Sequence, residues 1–167
     1  MSCLGVHFSL NEQAVKKLRS HKSEAARLNY VKETLEKEYF DEHPEWVGET
    51  DKAWDAIHRT LTDGDLAWQN GQYPLNHVIL GGELLYAKSD YIMSLKSPSQ
   101  VYDVSQALKD ITEAWFRERY FKIKPEKYGC PVDEQDFGYT WSNFESLREF
   151  LNRAANEGRY VLFTADQ

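Results

Sequence analysis

The apolar positions of this chain fall into two periods, and the longest run of either lies near its end. Phe137, Trp141, Phe144, Leu147, Leu151 and Ala154 recur at steps of three and four, which puts them on one face of a helix about six turns long. Asp133 is placed to cap that helix, Glu134 and Asp136 stand where the helix dipole favours anions, and Gly158 supplies a left-handed stop. Arg159 to Thr164 then reads as a buried strand. At the other terminus the stretch Met1 to Leu10 carries apolar Cys3, Leu4, Val6, Phe8 and Leu10. As a strand it shows its even-numbered side chains on one face and His7 on the other.

Between these strands helical patterns predominate. Asn11 caps a short helix with Ala14, Val15 and Leu18 inward, and Ser23 opens another in which Leu28, Val31, Leu35 and Tyr39 form the stripe until His43-Pro44 stops it. Thr50 reads as the cap of a helix carrying Trp54, Ile57, His58 and Leu61 to Asp63-Gly64. Asp65 to Asn76 reads as a loop, and His77 to Leu80 as a short strand before Gly81-Gly82. Lys88-Ser89-Asp90 forms a turn into a strand from Tyr91 to Leu95. Ser97-Pro98-Ser99-Gln100 has the composition of a capping box, with Val101, Val104, Leu108 and Ile111 as the stripe that follows. Thr112 restarts a helix bearing Trp115, Phe116 and Tyr120. The order of elements predicts an α+β protein: a single domain over residues 1–167, with a small mixed sheet that includes both terminal strands and is packed by several helices.

Composition adds boundaries. The formal net charge of −7 disfavours nucleic-acid backbones and anionic membrane surfaces as partners. No apolar stretch reaches 18 residues, and no basic, apolar leader opens the chain. Cys3 and Cys130 stand far apart without a CxxC pattern and read as reduced thiols. The expectation is a cytoplasmic protein without a membrane span.

Several ordered blocks are similar to a known family. Trp54-Asp55-Ala56-Ile57-His58 with Leu61-Thr62-Asp63-Gly64 resembles a helix of the YfbM-like family of bacterial proteins, a domain of unknown function. Pro74-Leu75 with Val78-Ile79-Leu80-Gly81-Gly82, the strand at Tyr91, the helix from Ser97 and the block from Asp133 through Asp166 continue the resemblance in order. Gly5 takes the place of the family's glycine in the first strand. The resemblance implies a compact domain of bacterial, cytoplasmic origin. It brings no activity, cofactor or catalytic residue.

Candidate chemistry is therefore read from the residues. In the helix from Trp54, Asp55 lies three residues before His58, within reach of its imidazole, and a carboxylate that orients a histidine is a usable general-base arrangement. The plainer alternative makes Trp54, Ile57 and Leu61 core, His58 a hydrogen-bonded core residue, and Asp55 the partner of Arg59. Folding can gather His7 and His77 near His58, which makes Trp54, Asp55, His58, His77 and His7 the candidate pocket. No HxH or HExxH spacing occurs, so no metal is expected. Gly81-Gly82 lacks the pattern of a phosphate loop, so no cofactor is expected either.

Charge is uneven. Nine acidic residues stand between Glu33 and Asp55 against Lys37 and Lys52, and Glu33, Glu36, Glu38, Asp41, Glu42 and Glu45 make a candidate acidic interaction surface for a basic protein partner. From Arg117 to Lys127 five basic residues stand against Glu118 and Glu126, which reads as a solvated face. The leading reading is a non-enzymatic protein-interaction module. The alternative is a small-molecule-binding protein or enzyme with its pocket on the Trp54–His58 helix. A solvent-reachable His58 beside Asp55 would favour the second.

Overall fold

The computed structural model describes residues 3–86, 88 and 90–166. Strand β1 (Gly5–Leu10) is followed by α1 (Glu12–Ser20), α2 (Glu24–Tyr30), α3 (Glu36–Glu42), β2 (Val47–Asp51) and α4 (Trp54–Leu61). Strands β3 (Glu83–Tyr86) and β4 (Tyr91–Lys96) come next, then α5 (Pro98–Leu108), α6 (Glu113–Tyr120), the short α7 (Pro125–Tyr128), α8 (Glu134–Asn156) and β5 (Tyr160–Asp166). Met1 of the expected first strand and Ser89 of the expected turn lie outside the described residues.

Local chemistry places the helix starts. Side-chain oxygens of Asn11, Ser23, Thr112 and Asp133 each accept from a backbone N–H three residues on, and Ser97 with Gln100 completes a reciprocal capping box. Gly158 leaves α8 with φ of 64°. Helices α2 and α3 are continuous through a wider π turn, Val31–Leu35, whose two ends are buried.

The five strands form one sheet in the order β2-β1-β5-β4-β3, so both terminal strands lie in it and β5 is central. The α+β class stands as expected, while every ladder is antiparallel where a mixed sheet was anticipated. Strand β5 runs between β1 and β4 and opposes both, and the link from β3 to β4 is too short for a parallel crossover. Alternation sends Phe8, Leu10, Met93, Leu95 and Leu162 to a core beneath α1, α2 and α3. Val161, Phe163 and Ala165 face the other core, beneath α4, α5, α6 and α8.

Two strands were not foreseen where they occur. Thr50, expected to cap α4, lies buried in β2, and Ala53 occupies the capping position without a side-chain bond. Residues 75–77 form a 3-10 turn in place of the expected strand at His77–Leu80, and the edge strand is β3. Both real strands are short edges: β2, mostly polar, owes its identity to its pairing with β1, whereas β3 carries Leu84, Leu85 and Tyr86 and pairs with β4.

Two glycines bring helices close to the sheet. A Cβ on Gly5 would meet the Trp54 ring at 2.6 Å and Thr50 Oγ1 at 2.8 Å, and one on Gly48 would meet the Phe150 ring at 2.9 Å. Gly5→Ala is therefore expected to cost about 1–3 kcal/mol. Gly138→Ala, inside α8 with open space around it, should gain about 0.5–1 kcal/mol. Urea denaturation of the two variants checks the pair, and a neutral Gly5→Ala would contradict the packing described.

Candidate functional site

Helix α4 pairs its residues as the plainer alternative had them, with Asp55 on Arg59 and His58 a buried, hydrogen-bonded residue, and does not form the Asp55–His58 pair. Asp55 Oδ1 accepts from Arg59 Nε at 2.5 Å, one turn away, and is not paired with His58. Trp54 is buried, with Nε1 donating to the Cys3 carbonyl at 2.8 Å. His58 is 1% exposed, and its Nε2 lies 2.7 Å from Asn70 Oδ1 and 3.1 Å from the Ala67 carbonyl. Both of those atoms are acceptors, so Nε2 carries the hydrogen and Nδ1 is left a buried acceptor without a partner.

Asn70 then turns the loop into a closed unit. Its Nδ2 donates to Thr62 Oγ1, Asp63 Oδ1 and the Asp65 carbonyl, while Thr62 Oγ1 donates back to the His58 carbonyl. His58 thus ties residues 62–70 to α4, and neither Asp55 nor solvent reaches it in the manner of a general base.

His7 lies on β1 and His77 in the 3-10 turn. Thr50 Oγ1 donates to the Gly5 carbonyl, so His7 Nε2 donates to Thr50 Oγ1 at 3.2 Å and leaves Nδ1 unpartnered. His77 is half-buried, with Nδ1 2.7 Å from Asn76 Oδ1 and its ring against Tyr73. The charge of Lys96, which the sequence reading did not single out, acts on all three rings. Only the alternation of Ile92, Ser94 and Lys96 along β4 pointed to its inward face.

Lys96 is 2% exposed. Its Nζ donates to Ser94 Oγ at 2.7 Å and to the Ile79 carbonyl, and lies 5.4 Å from the centre of the Phe163 ring. Burial pushes its ammonium well below the usual lysine range. Burial first, and charge on Lys96 second, holds His7 well below the usual histidine range. His77 is lowered by the same two causes in the same order. His58 is lowered by burial against the raising effect of its bonds to Asn70 and Ala67. All three histidines are thus lowered, His7 and His58 as buried rings and His77 as a half-buried one. Among the described residues no three His, Cys, Asp or Glu side chains group as metal ligands.

Of the candidate acidic surface, Glu33, Glu38, Asp41, Glu42 and Glu45 are exposed on or just after the α2–α3 helix, and Glu36 is half-buried. Glu36 Oε1 accepts from Tyr91 Oη at 2.7 Å, and burial raises its carboxyl above the usual range despite that bond. Phe40 and Leu4, each 42% exposed, flank a cleft of about 390 Å³ whose charged lining is Glu36, Glu49 and Asp166 against Lys32. A second hollow region, which the reading passed over, lies at the C-terminal end of α4 beside α6. The basic run from Arg117 contributes to it.

Among the described residues, a five-stranded antiparallel sheet between two helical layers defines the class. The chain belongs to the family described as "Domain of unknown function (DUF1877)", whose model matches residues 1–164. Its fold is similar to that of YfbM from Escherichia coli, a protein of unknown function, with a TM-score of 0.67 and 18% identity over 97% of this chain and 99% of that one. No curated protein matches. Among the described residues no helix is long and apolar enough to cross a membrane.

The buried bases make stability depend on pH. The free imidazoles of the unfolded chain take protons below about pH 6.5, whereas burial holds folded His7 and His58 to lower values. Stability is therefore full above that value and falls as the pH drops through it, by up to about 1.4 kcal/mol per pH unit for each ring. Urea midpoints at pH 7.5 and 5.5 are expected to show the loss, with a shallower slope in His58→Gln. For Lys96 the unfolded chain binds the extra proton up to about pH 10.4, so the cost of burial is present at neutral pH and fades on approach to that value. Lys96→Met is expected to be about 1 kcal/mol or more stabilising at pH 7, since Ser94 Oγ still donates to the Ile79 carbonyl. Melting curves from pH 7 to 10 should show that advantage shrinking.

Proposed function

We propose that the protein is a non-enzymatic interaction module that docks a basic segment of a partner protein on the acidic face of α3. The observation that carries this reading is the cleft between Phe40 and Leu4. Two large apolar side chains stand half in solvent there, beside Glu36, Glu49 and Asp166. An apolar anchor ringed by charge is the usual anatomy of a recognition patch, and the carboxylates select Lys or Arg on the segment that flanks the anchor. Glu33, Glu38, Asp41, Glu42 and Glu45 extend the negative field along the helix, which speeds encounter with a basic partner. The net charge of −7 and the similar fold of a bacterial protein support a bacterial, cytoplasmic setting for this role.

The test is capture from the native host with wild type and Phe40→Ala side by side, at low and moderate salt. A stoichiometric basic partner is expected, weakened by salt and roughly tenfold weaker toward Phe40→Ala, as befits loss of one anchor. A partner held equally by both proteins, or no salt-sensitive partner at all, defeats the proposal.

A further inference from the structure

The hollows at the C-terminal end of α4 belong to a different surface. One, of about 240 Å³, is lined by Arg59, Arg119 and Lys122. A larger one of about 550 Å³ shares Thr62, Asp63 and Arg119 with it and adds Leu61, Leu75 and Trp115. A third shares Lys122 and adds Lys124 and Lys127. Five cationic side chains thus line adjoining hollows in a chain that is acidic overall, and the carboxylates among the lining residues are Asp63 and Asp65.

Both guanidiniums are built in. Arg59 is 7% exposed, its Nε bonded to Asp55 and its Nη1 to the Gly64 carbonyl at 3.2 Å. Arg119 Nε donates to the Thr60 carbonyl at 2.8 Å and Nη2 to that of Thr62, and its guanidinium lies 4.7 Å from the centre of the Trp115 ring. These bonds fix two forks at the end of α4. They leave Arg59 Nη2 and Arg119 Nη1 without hydrogen bonds among the described residues. Asp63 is occupied by Asn70 and Asp65 by Lys127, while Lys122 has only the exposed Glu118. Fixed guanidinium forks are the donors that suit a phosphate, since they lose little freedom on binding it.

We propose that this cleft binds a small phosphomonoester, with the phosphate held by Arg59, Arg119 and Lys122 and the organic body lying in the larger hollow against Trp115, Leu61 and Leu75. The size of that hollow falls in the range of small-ligand sites. The proposal does not depend on the acidic face of α3.

The full chain is titrated calorimetrically with inorganic phosphate, AMP and glucose 6-phosphate, alongside adenosine and glucose, with Trp115 fluorescence as a second readout. At least one phosphomonoester is expected to bind roughly tenfold or more tightly than its unphosphorylated counterpart, more weakly as salt rises. Lys122→Gln, a surface change that should leave the melting temperature alone, is expected to weaken that binding roughly 3–10-fold. Trp115→Ala should weaken the ester and spare inorganic phosphate, whereas Phe40→Ala should change neither. Which ester binds separates a nucleotide from a sugar phosphate. Equal affinity for phosphorylated and unphosphorylated members of each pair, or binding unaltered in Lys122→Gln, overturns the proposal.

Discussion

The pairing of the first and last strands holds the rest in place. Strand β5 is hydrogen-bonded to β1 over Gly5–Leu10 and to β4 over Tyr91–Lys96, so among the described residues it is the only strand that joins the two halves of the sheet. Leu162 and Phe163, adjacent in sequence, enter opposite cores, one under α1–α3 and the other under α4–α8. Until the end of the chain is in place, β1 with β2 and β3 with β4 are separate two-stranded ribbons, marginal by themselves. Such dependence on distant contacts belongs to slower-folding topologies.

Phe163 also connects the fold to its buried polar group. Its ring centre lies 4.9 Å from that of His7 and 5.6 Å from that of Trp54, with Lys96 over it. A lysine so buried without a carboxylate among its bonded partners is a standing cost. What it secures is the segment before β3: its amine holds the Ile79 carbonyl just past the 3-10 turn, and Gly81 packs against Asn76 and His77. His58 does the same for residues 62–70 through Asn70 and Ala67. Between them two buried bases order the loops on either side of the cleft that contains Thr62, Gly71, Gln72 and Leu75.

How far the sequence disclosed this depends on the range of the interaction. Caps at Asn11, Ser23, Ser97, Thr112 and Asp133 act within three residues, and the apolar stripe of α8 within seven, so the helices could be read directly. Strand β2 could not, because Val47–Asp51 is mostly polar and only its pairing with β1 makes it a strand. The candidate residues were found, but their roles turned on distant partners. Nothing near His58 announces Asn70 twelve residues later, and Asp55 had two reachable neighbours of which the guanidinium is the stronger. Lys96 was hidden by type, since a lysine at a strand end ordinarily faces water. The basic run from Arg117 was read as solvated surface because the carbonyls that fix Arg119 lie nearly sixty residues away.

The two charged surfaces belong to opposite helical layers: the acidic face to α3 on one side of the sheet, the cationic cleft to α4 and α6 on the other. Helical layers flanking a sheet stand on the order of 20 Å apart, more than twice the screening length of about 8 Å at physiological salt. Each field is therefore nearly blind to the other, and a net charge of −7 says little about what either side attracts. Summed over the chain, the acidic residues outweigh a cationic site that is built almost wholly from one helix end and one short run. Local placement, rather than total charge, decides which ligands each surface can draw.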